Sequence, residues 1–240
     1  MTVSENDNVL PGISVVVIGR NEGERLTRCF ASLKEADYPQ DHLELIYVDS
    51  ESTDDSCARA EAAGAKVLRV QPVRPCAAIG RNAGWRVARY DLIHFLDGDT
   101  IVHRDWLRKA VGAMDDDSVA CVCGRREEMY PLATIYNLWI HHDWYIGPGA
   151  ANTCGGDVLF RKEILEAQDG YDETLIAGEE PDLCYRIRTR MGKTVLSLDA
   201  PMTLHDVNMR SFRSYWRRCW RTGHAYAEVA GRYKDQHKGG

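Results

Sequence analysis

No Cys-x-x-Cys occurs among the eight cysteines, and no paired histidines stand at metal-ligand spacing, so the common zinc frameworks are excluded. Cysteines 29, 57, 76, 121, 123, 154, 184 and 219 fall mostly in apolar periodic segments. There a free thiol behaves as a small hydrophobe, and all eight are expected to be reduced and structural. No run of about 18 apolar residues is present. The start, Met1 to Gly12, is polar and acidic and has no apolar core of signal-peptide length. The expectation is a cytoplasmic protein that touches a membrane, if at all, at its inner face. Basic residues are outnumbered, 30 to 36, and the net charge of −6 argues against a general nucleic-acid binder, leaving room for a local basic patch. No Gly-x-Gly-x-x-Gly follows the first apolar run, which disfavours a dinucleotide-binding dehydrogenase. No repeat or low-complexity linker marks a boundary.

What is present is an alternation of strands and helices. Ile13 to Ile18 is an almost continuous β-branched run, the mark of a strand covered on both faces. Leu26, Cys29, Phe30 and Leu33 then recur at helical spacing. Leu43 to Val48 predicts a second strand, Ser52-Thr53-Asp54-Asp55 the N-cap of a helix running to Ala63, and Lys66 to Val70 a short third strand. Further helices are predicted at Ala77 to Ala88 and Arg104 to Met114, with strands at Leu92–Leu96 and Val119–Cys123. Four alternations in about 120 residues imply a mainly parallel sheet wrapped by helices. The second half is less regular: an aromatic helix over Ile135 to Tyr145, a strand at Cys154–Phe160, a helix over Asp182 to Met191, and a strand at Thr194–Leu198.

The most informative stretch is Asp91 to Thr100, where an apolar strand stops at Asp97-Gly98-Asp99. Carboxylates resist burial, so their place at a strand's end puts them on the rim of the sheet, where open α/β folds bind ligands. Two hard oxygen ligands suit Mg²⁺ or Mn²⁺ carrying a diphosphate. The plainer reading is an acidic turn capping the next helix. Arg20-Asn21-Glu22 after the first strand and Asp49 after the second should converge on the same rim. Arg81, in Gly80-Arg81-Asn82-Ala83-Gly84, either balances these acids, contacts phosphate, or is a surface arginine.

Taken in order, these segments resemble family 2 glycosyltransferases, inverting nucleotide-sugar enzymes of the GT-A fold. The matching pieces are Val15 to Glu22, Val48 to Asp54, Gly80 to Gly84, Phe95 to Asp99, Cys154-Gly155-Gly156-Asp157, Gly170 to Glu173, and Gly178-Glu179-Glu180-Pro181-Asp182-Leu183. The resemblance implies one α/β domain, a Rossmann-like mixed or mainly parallel sheet flanked by helices. It would run over 13–205, with a nucleotide-binding half (13–123) and an acceptor half (124–205). A polar arm (1–12) would precede it and a basic, aromatic helical tail (206–240) would follow.

It also implies roles. Arg20, Asn21, Glu22, Asp49, Arg81 and Asp97 would hold the nucleotide, and Asp99 with Asp97 would ligate Mg²⁺ or Mn²⁺. Gly155, Gly156, Asp157 and Asp182 would line the sugar or acceptor pocket. Glu180 occupies the catalytic base position, with Glu179 as its like-charged neighbour. An acidic helix N-terminus favoured by the macrodipole is the plainer account of that pair. His205 is either a further metal ligand or a hydrogen-bonded structural histidine. The donor would be a UDP- or GDP-type sugar, and the acceptor a hydroxyl, on a glycan or lipid-linked carrier among others. Three positions depart from the family's common pattern: Ser50-Glu51 where Asp-Gly often follows Asp49, Thr100 where many members carry Asp, and Glu180 in place of Asp. A non-catalytic nucleotide-sugar module would lack the base or metal carboxylates. A sugar nucleotidylyltransferase would show a glycine-rich basic loop after the first strand.

In the tail, Phe212, Trp216, Cys219 or Trp220, Gly223 and Tyr226 follow helical spacing beside an arginine stripe, Arg213, Arg217 and Arg221, with Arg218 nearby. Three readings stand: an aromatic face packed on the domain, an arginine lid (Arg217, Arg218, Arg221) over the diphosphate, or a basic amphipathic helix on an anionic membrane.

Overall fold

Ile13–Gly19 (β1) is sandwiched between Leu43–Asp49 (β2) and Leu92–Asp97 (β4), and all three run parallel; Lys66–Arg69 (β3) extends the sheet beyond β2. The continuous apolar run predicts this, since a strand between two others with helices on both faces has no solvent side. Ile13, Val15, Val16 and Val17 are fully buried. These coordinates come from a computed structural model that describes residues 10–71, 73–74 and 76–234. Most of the expected polar arm (residues 1–9) and the last part of the tail (235–240) lie outside the described residues.

Helices Glu24–Lys34 (α1), Ser56–Ala62 (α2) and Ala77–Arg86 (α3) connect the parallel strands. α3 lies so close to β1 that a Cβ at Gly84 would collide with Val16. Beyond β4 the sheet changes direction. Val158–Arg161 (named β8 below) runs antiparallel to β4, and Val119–Glu128 (β6) antiparallel to β8. Thr194–His205 (β9) is parallel to β6, and it is joined antiparallel by Thr100–Val102 (β5) and by Gly149–Ala150 (β7). The strand order is β3-β2-β1-β4-β8-β6-β9-β5, so the fold is a mixed α/β sheet flanked by helices.

The remaining helices are Trp106–Gly112 (α4), Ile135–Asp143 (α5), Lys162–Ala167 (α6), Glu179–Arg186 (α7) and Phe212–Tyr233 (α8). Two strands differ from expectation. The segment 154–157 is not yet strand, and β9 continues past Leu198 to His205, so His205 is its last residue rather than a loop residue. The predicted Asp182 to Met191 helix begins three residues earlier, after Gly178 at φ +90°, and its last turn, Ile187–Met191, widens to a π-helix. All eight cysteines are free, but Cys219 is exposed on α8 rather than structural, and Cys57 and Cys76 are only half-buried.

α8 overturns one of the three readings of the tail. Its aromatic face is not packed on the domain: Phe212, Trp216 and Trp220 are each 60–65% exposed, and only Ala225 and Tyr233 of the helix are buried. The side turned to the domain carries the arginines. Among the described residues no helix is long and apolar enough to cross a membrane.

Candidate active site

Strand register assembles the site. Phe95 of β4 pairs with Val158 of β8, so Asp157, just before β8, falls beside Asp97, whose N–H donates to Asp157 Oδ1 at 3.2 Å. Thr100 of β5 pairs with His205 of β9, which brings His205 to Asp99. The last residues of a parallel strand and the first of its antiparallel neighbour thus meet at the change of direction, where open sheets leave a crevice.

Asp97, Asp99 and His205 each offer one ligand atom, all within 4.8 Å of one another. His205 Nδ1 faces Asp99 Oδ1 at 3.8 Å, while Nε2 bonds to Asp157 Oδ2, which also accepts from the Thr203 hydroxyl at 2.7 Å. A carboxylate on one imidazole nitrogen fixes the ring and leaves the other free to ligate, the usual support of a metal-bound histidine. Burial pushes Asp99 up to about 7, with His205 opposing and Asp97, Glu22 and Asp157 adding to the rise. Burial also works against Asp157, but His205, Arg126 and Thr203 outweigh it and hold that carboxyl below the usual range. Crowded acids with an imidazole fit a divalent cation. Thr100, which replaces the family's common acid, is buried and caps the turn by donating to the Asp97 carbonyl at 2.6 Å.

Asp97 opens into a cavity of about 640 Å³. Of the residues singled out by sequence, Arg81, Asp97, Gly155, Gly156, Glu179, Glu180, Arg217, Arg218 and Arg221 line it. Buried Arg81 bridges two of the acids, Asp97 Oδ1 at 3.1 Å and Glu179 Oε1 at 2.7 Å. Gly156 is required by this bridge, since a Cβ there would lie 2.7 Å from Arg81 Nη2. Gly155, at φ +77°, a conformation that side-chain-bearing residues rarely adopt, lies under the Arg126 guanidinium.

Glu180 has another environment. Its Oε1 accepts from Cys154 N–H at 2.6 Å and from the Cys184 thiol at 3.1 Å. Burial pushes its carboxyl up to about 8; Cys184 adds to the rise and the Cys154 N–H offsets part of it. The two adjacent glutamates are therefore distinct: Glu179 is an ion-pair partner, Glu180 a buried carboxyl with a raised pKa.

Arg20, Asn21, Glu22 and Asp49 stand on the neighbouring part of the rim, not on the cavity wall. Asn21, at φ 57°, clamps the loop after β2: its N–H donates to Ser52 Oγ at 2.8 Å and its Oδ1 accepts Thr53 N–H at 2.7 Å. Buried Asp49 accepts Ser52 N–H at 3.0 Å. Glu22 is wedged between Gly19 and Gly98, where Cβ atoms would come within 2.7 and 2.8 Å of its Cγ. Burial raises its pKa against the pull of Arg25. Asp182 does not reach the cavity: it is buried in an ion pair with Arg186 at 2.8 Å and accepts from Tyr233 OH at 2.5 Å, tying α7 to α8.

Arg126 and Trp144, both on the cavity wall, escaped the sequence reading. Arg126 and Arg218 both lie against the Trp144 ring, at 5.4 and 5.5 Å from its centroid, and Trp144 is 4.9 Å from the His205 ring. The strand-end rule that selected Asp49 and Asp97 would have selected Arg126 had β6 been read beyond Cys123. Trp144 carried no such signal.

A 28% identical relative, glycosyltransferase AglE of Haloferax volcanii, aligns over 180 residues, 71% of this chain and 59% of its own. Pre-mycofactocin glycosyltransferase of Mycobacterium tuberculosis is 28% identical over 200 residues, 73% of this chain and 38% of that protein. The chain thus spans less than two thirds of the length of these relatives. Among solved structures, the Pyrobaculum calidifontis mannosyltransferase PcManGT, in complex with GDP-Man and Mn²⁺, superposes with a TM-score of 0.73 at 22% identity, covering 92% of this chain and 65% of that one. S. aureus TarS with UDP-GlcNAc gives 0.67 at 16% identity, covering 85% and 60%. The family model for glycosyl transferase family 2 matches residues 14–166, and the chain belongs to that family.

Proposed function

We propose that the chain is an inverting glycosyltransferase that moves a sugar from a nucleotide-diphospho-sugar to an acceptor hydroxyl in one displacement, with Glu180 as the base. The observation that carries this reading is the single cavity bounded by both Asp97 and Glu180. Inverting transfer needs a proton acceptor on the acceptor side and positive charge at the leaving group. Asp97, Asp99 and His205 would hold Mn²⁺ or Mg²⁺, which when bound offsets the charge gathering on the departing diphosphate. Glu22 and Asp49, with Arg20 and Asn21, would hold the nucleoside on the adjoining rim. Gly155 and Gly156 keep the sugar subsite open, and Asp157 orients His205 from beneath. Arg217, Arg218 and Arg221 face the cavity and serve as the diphosphate lid. A UDP or GDP donor accords with the two structural neighbours, one of them bound to GDP-Man and one to UDP-GlcNAc.

The test is a panel of nucleotide sugars with Mn²⁺, followed by NMR of the product's anomeric configuration. Transfer with inversion is expected; a retained configuration would refute the single displacement. The pH dependence follows from Glu180. A base must be ionised, and a carboxyl raised to about 8 is largely protonated at neutral pH. The transfer rate at saturating donor and metal is therefore expected to rise through pH 8; a rate that is flat from pH 6 to 9 would exclude this base.

The place of work is proposed to be the cytoplasmic face of an anionic membrane. α8 turns Phe212, Trp216 and Trp220 to solvent, and Arg210 and Arg213 lie in a stretch with no acid between Asp206 and Glu228, while Arg217, Arg218 and Arg221 face the cavity. The Tyr136–Tyr215 stack joins it to α5, whose Ile135 and Trp139 are 72% and 65% exposed. Aromatics flanked by arginines suit the headgroup boundary of anionic lipid. The protein is expected to co-sediment with phosphatidylglycerol vesicles and not with phosphatidylcholine alone, and to lose this in Trp216→Ser/Trp220→Ser. Self-association in solution without vesicle binding would assign the face to a second copy instead.

A further inference from the structure

Behind Glu180 lies a group of thiols that sugar transfer does not use. Cys121 from β6, Cys154 from the loop before β8 and Cys184 from α7 converge with their side chains 0–1% exposed. Cys154 Sγ and Cys184 Sγ are 3.4 Å apart, and Cys184 Sγ is 3.1 Å from Glu180 Oε1. One ligand atom each from Cys154, Glu180 and Cys184 lies within 4.8 Å of the others. Glu180 and Cys184 are four residues apart on α7, so they project from the same face of the helix.

We propose that Cys154, Cys184 and Glu180 form a binding site for a thiophilic divalent cation such as Zn²⁺, separate from the carboxylate–histidine site, and that its occupancy withdraws Glu180 from the acceptor. The second clause rests on Glu180 being the base; the first does not.

Geometry selects metal binding over a disulfide. With Zn–S near 2.3 Å and Zn–O near 2.1 Å, a tetrahedral site has S···S edges of roughly 3.8 Å and S···O edges of roughly 3.6 Å. The observed 3.4 and 3.1 Å need to open by only a few tenths of an ångström. A disulfide would need the sulfurs to close to about 2.05 Å. The cation takes the place of the protons that now link the groups: one Zn²⁺ replaces two thiol protons and the Glu180 proton, three in all, released to solvent, with a water from the cavity as the fourth ligand. Ligand softness keeps the two sites apart, since Mg²⁺ prefers the oxygens at Asp97 and Asp99 and thiolates take Zn²⁺. Entry is through the cavity, whose wall includes Thr153, Gly155 and Glu180, the immediate surroundings of Cys154.

The test is Co²⁺ titration of the Mg²⁺-saturated chain, followed by its absorbance. A thiolate-to-cobalt charge-transfer band is expected, saturating at one equivalent, displaced by Zn²⁺, retained in Cys219→Ser and lost in Cys184→Ser. A cation at the carboxylate–histidine site gives no such band. If Cys184→Ser does not fold, Cys154→Ser is expected to weaken the band and Glu180→Gln to keep it at lower affinity. No band in the wild-type chain would overturn the site, as would a band lost in Cys219→Ser. In transfer assays with excess Mg²⁺, Zn²⁺ is expected to reduce the rate at least tenfold, reversibly on adding a zinc-selective chelator. A full band with undiminished transfer would overturn the withdrawal of Glu180, and with it Glu180 as the base, while leaving the metal site in place.

Discussion

Glu180→Gln is expected to lower the turnover number by about 10²–10⁴-fold, the range for removing a general base, with donor binding unchanged. The amide is isosteric and keeps an oxygen to accept from the Cys154 N–H, which now donates at 2.6 Å, so the loop carrying Gly155 and Gly156 should hold its place. What is lost is the capacity to take a proton. Glu179→Gln should behave differently: it removes the partner of buried Arg81 and leaves Asp97 alone to balance that guanidinium. Its effect belongs in donor affinity and stability. Measuring turnover and donor dissociation constants for both variants separates the roles. Full turnover in Glu180→Gln would remove it as the base.

Asp99→Ala is expected to abolish the Mn²⁺ dependence of nucleoside diphosphate binding. The loss should exceed the about 10–100-fold typical when only a ligand's supporting partner is removed. Asp157→Asn, which disturbs His205 from outside the proposed ligand set, should fall within that smaller range. Stability should move the other way. Burial raises the Asp99 pKa to about 7 from an unfolded value near 3.8, so its ionisation opposes folding as pH rises above that unfolded value. Without metal at neutral pH, Asp99→Ala should melt no lower than the wild-type chain. Calorimetric titration and thermal melts check both, and Mn²⁺-dependent binding of normal strength in Asp99→Ala would remove it as a ligand.

The parallel half of the fold was legible because burial on both faces leaves a plain residue pattern. Ile13 to Val17 can be little else, and the polar groups ending β1, β2 and β4 then fall on one rim by topology alone. The second half was less legible because its strands are short, bulged or half-exposed. β6 shifts register at three points and β9 alternates irregularly between buried and half-buried residues. Periodicity therefore caught only the first part of each, Val119–Cys123 and Thr194–Leu198. That truncation hid Arg126 and placed His205 in a loop. β5 was invisible, three residues beginning inside the motif that had been read as a turn.

Asp182 shows the opposite failure. It lies in the segment that carries the resemblance, yet its partner Arg186 is one helical turn away on the same face, and an i, i+4 ion pair was the simpler use of it. For α8, spacing found both faces but not their orientation. An amphipathic helix ordinarily turns its aromatics inward, and here the cavity's demand for positive charge claims the inner side.

The central claim is that acids at the rim of the sheet hold a cation that carries the donor's diphosphate into the cavity of Glu180. Phosphorus NMR relaxation of the bound nucleotide sugar with Mn²⁺ tests it most directly, because a paramagnetic ion broadens only nuclei in its immediate neighbourhood. Strong broadening of both phosphorus signals is predicted for the wild-type chain and for Glu180→Gln, and none for Asp99→Ala. Unbroadened phosphorus signals on donor bound to the wild-type chain would contradict the account.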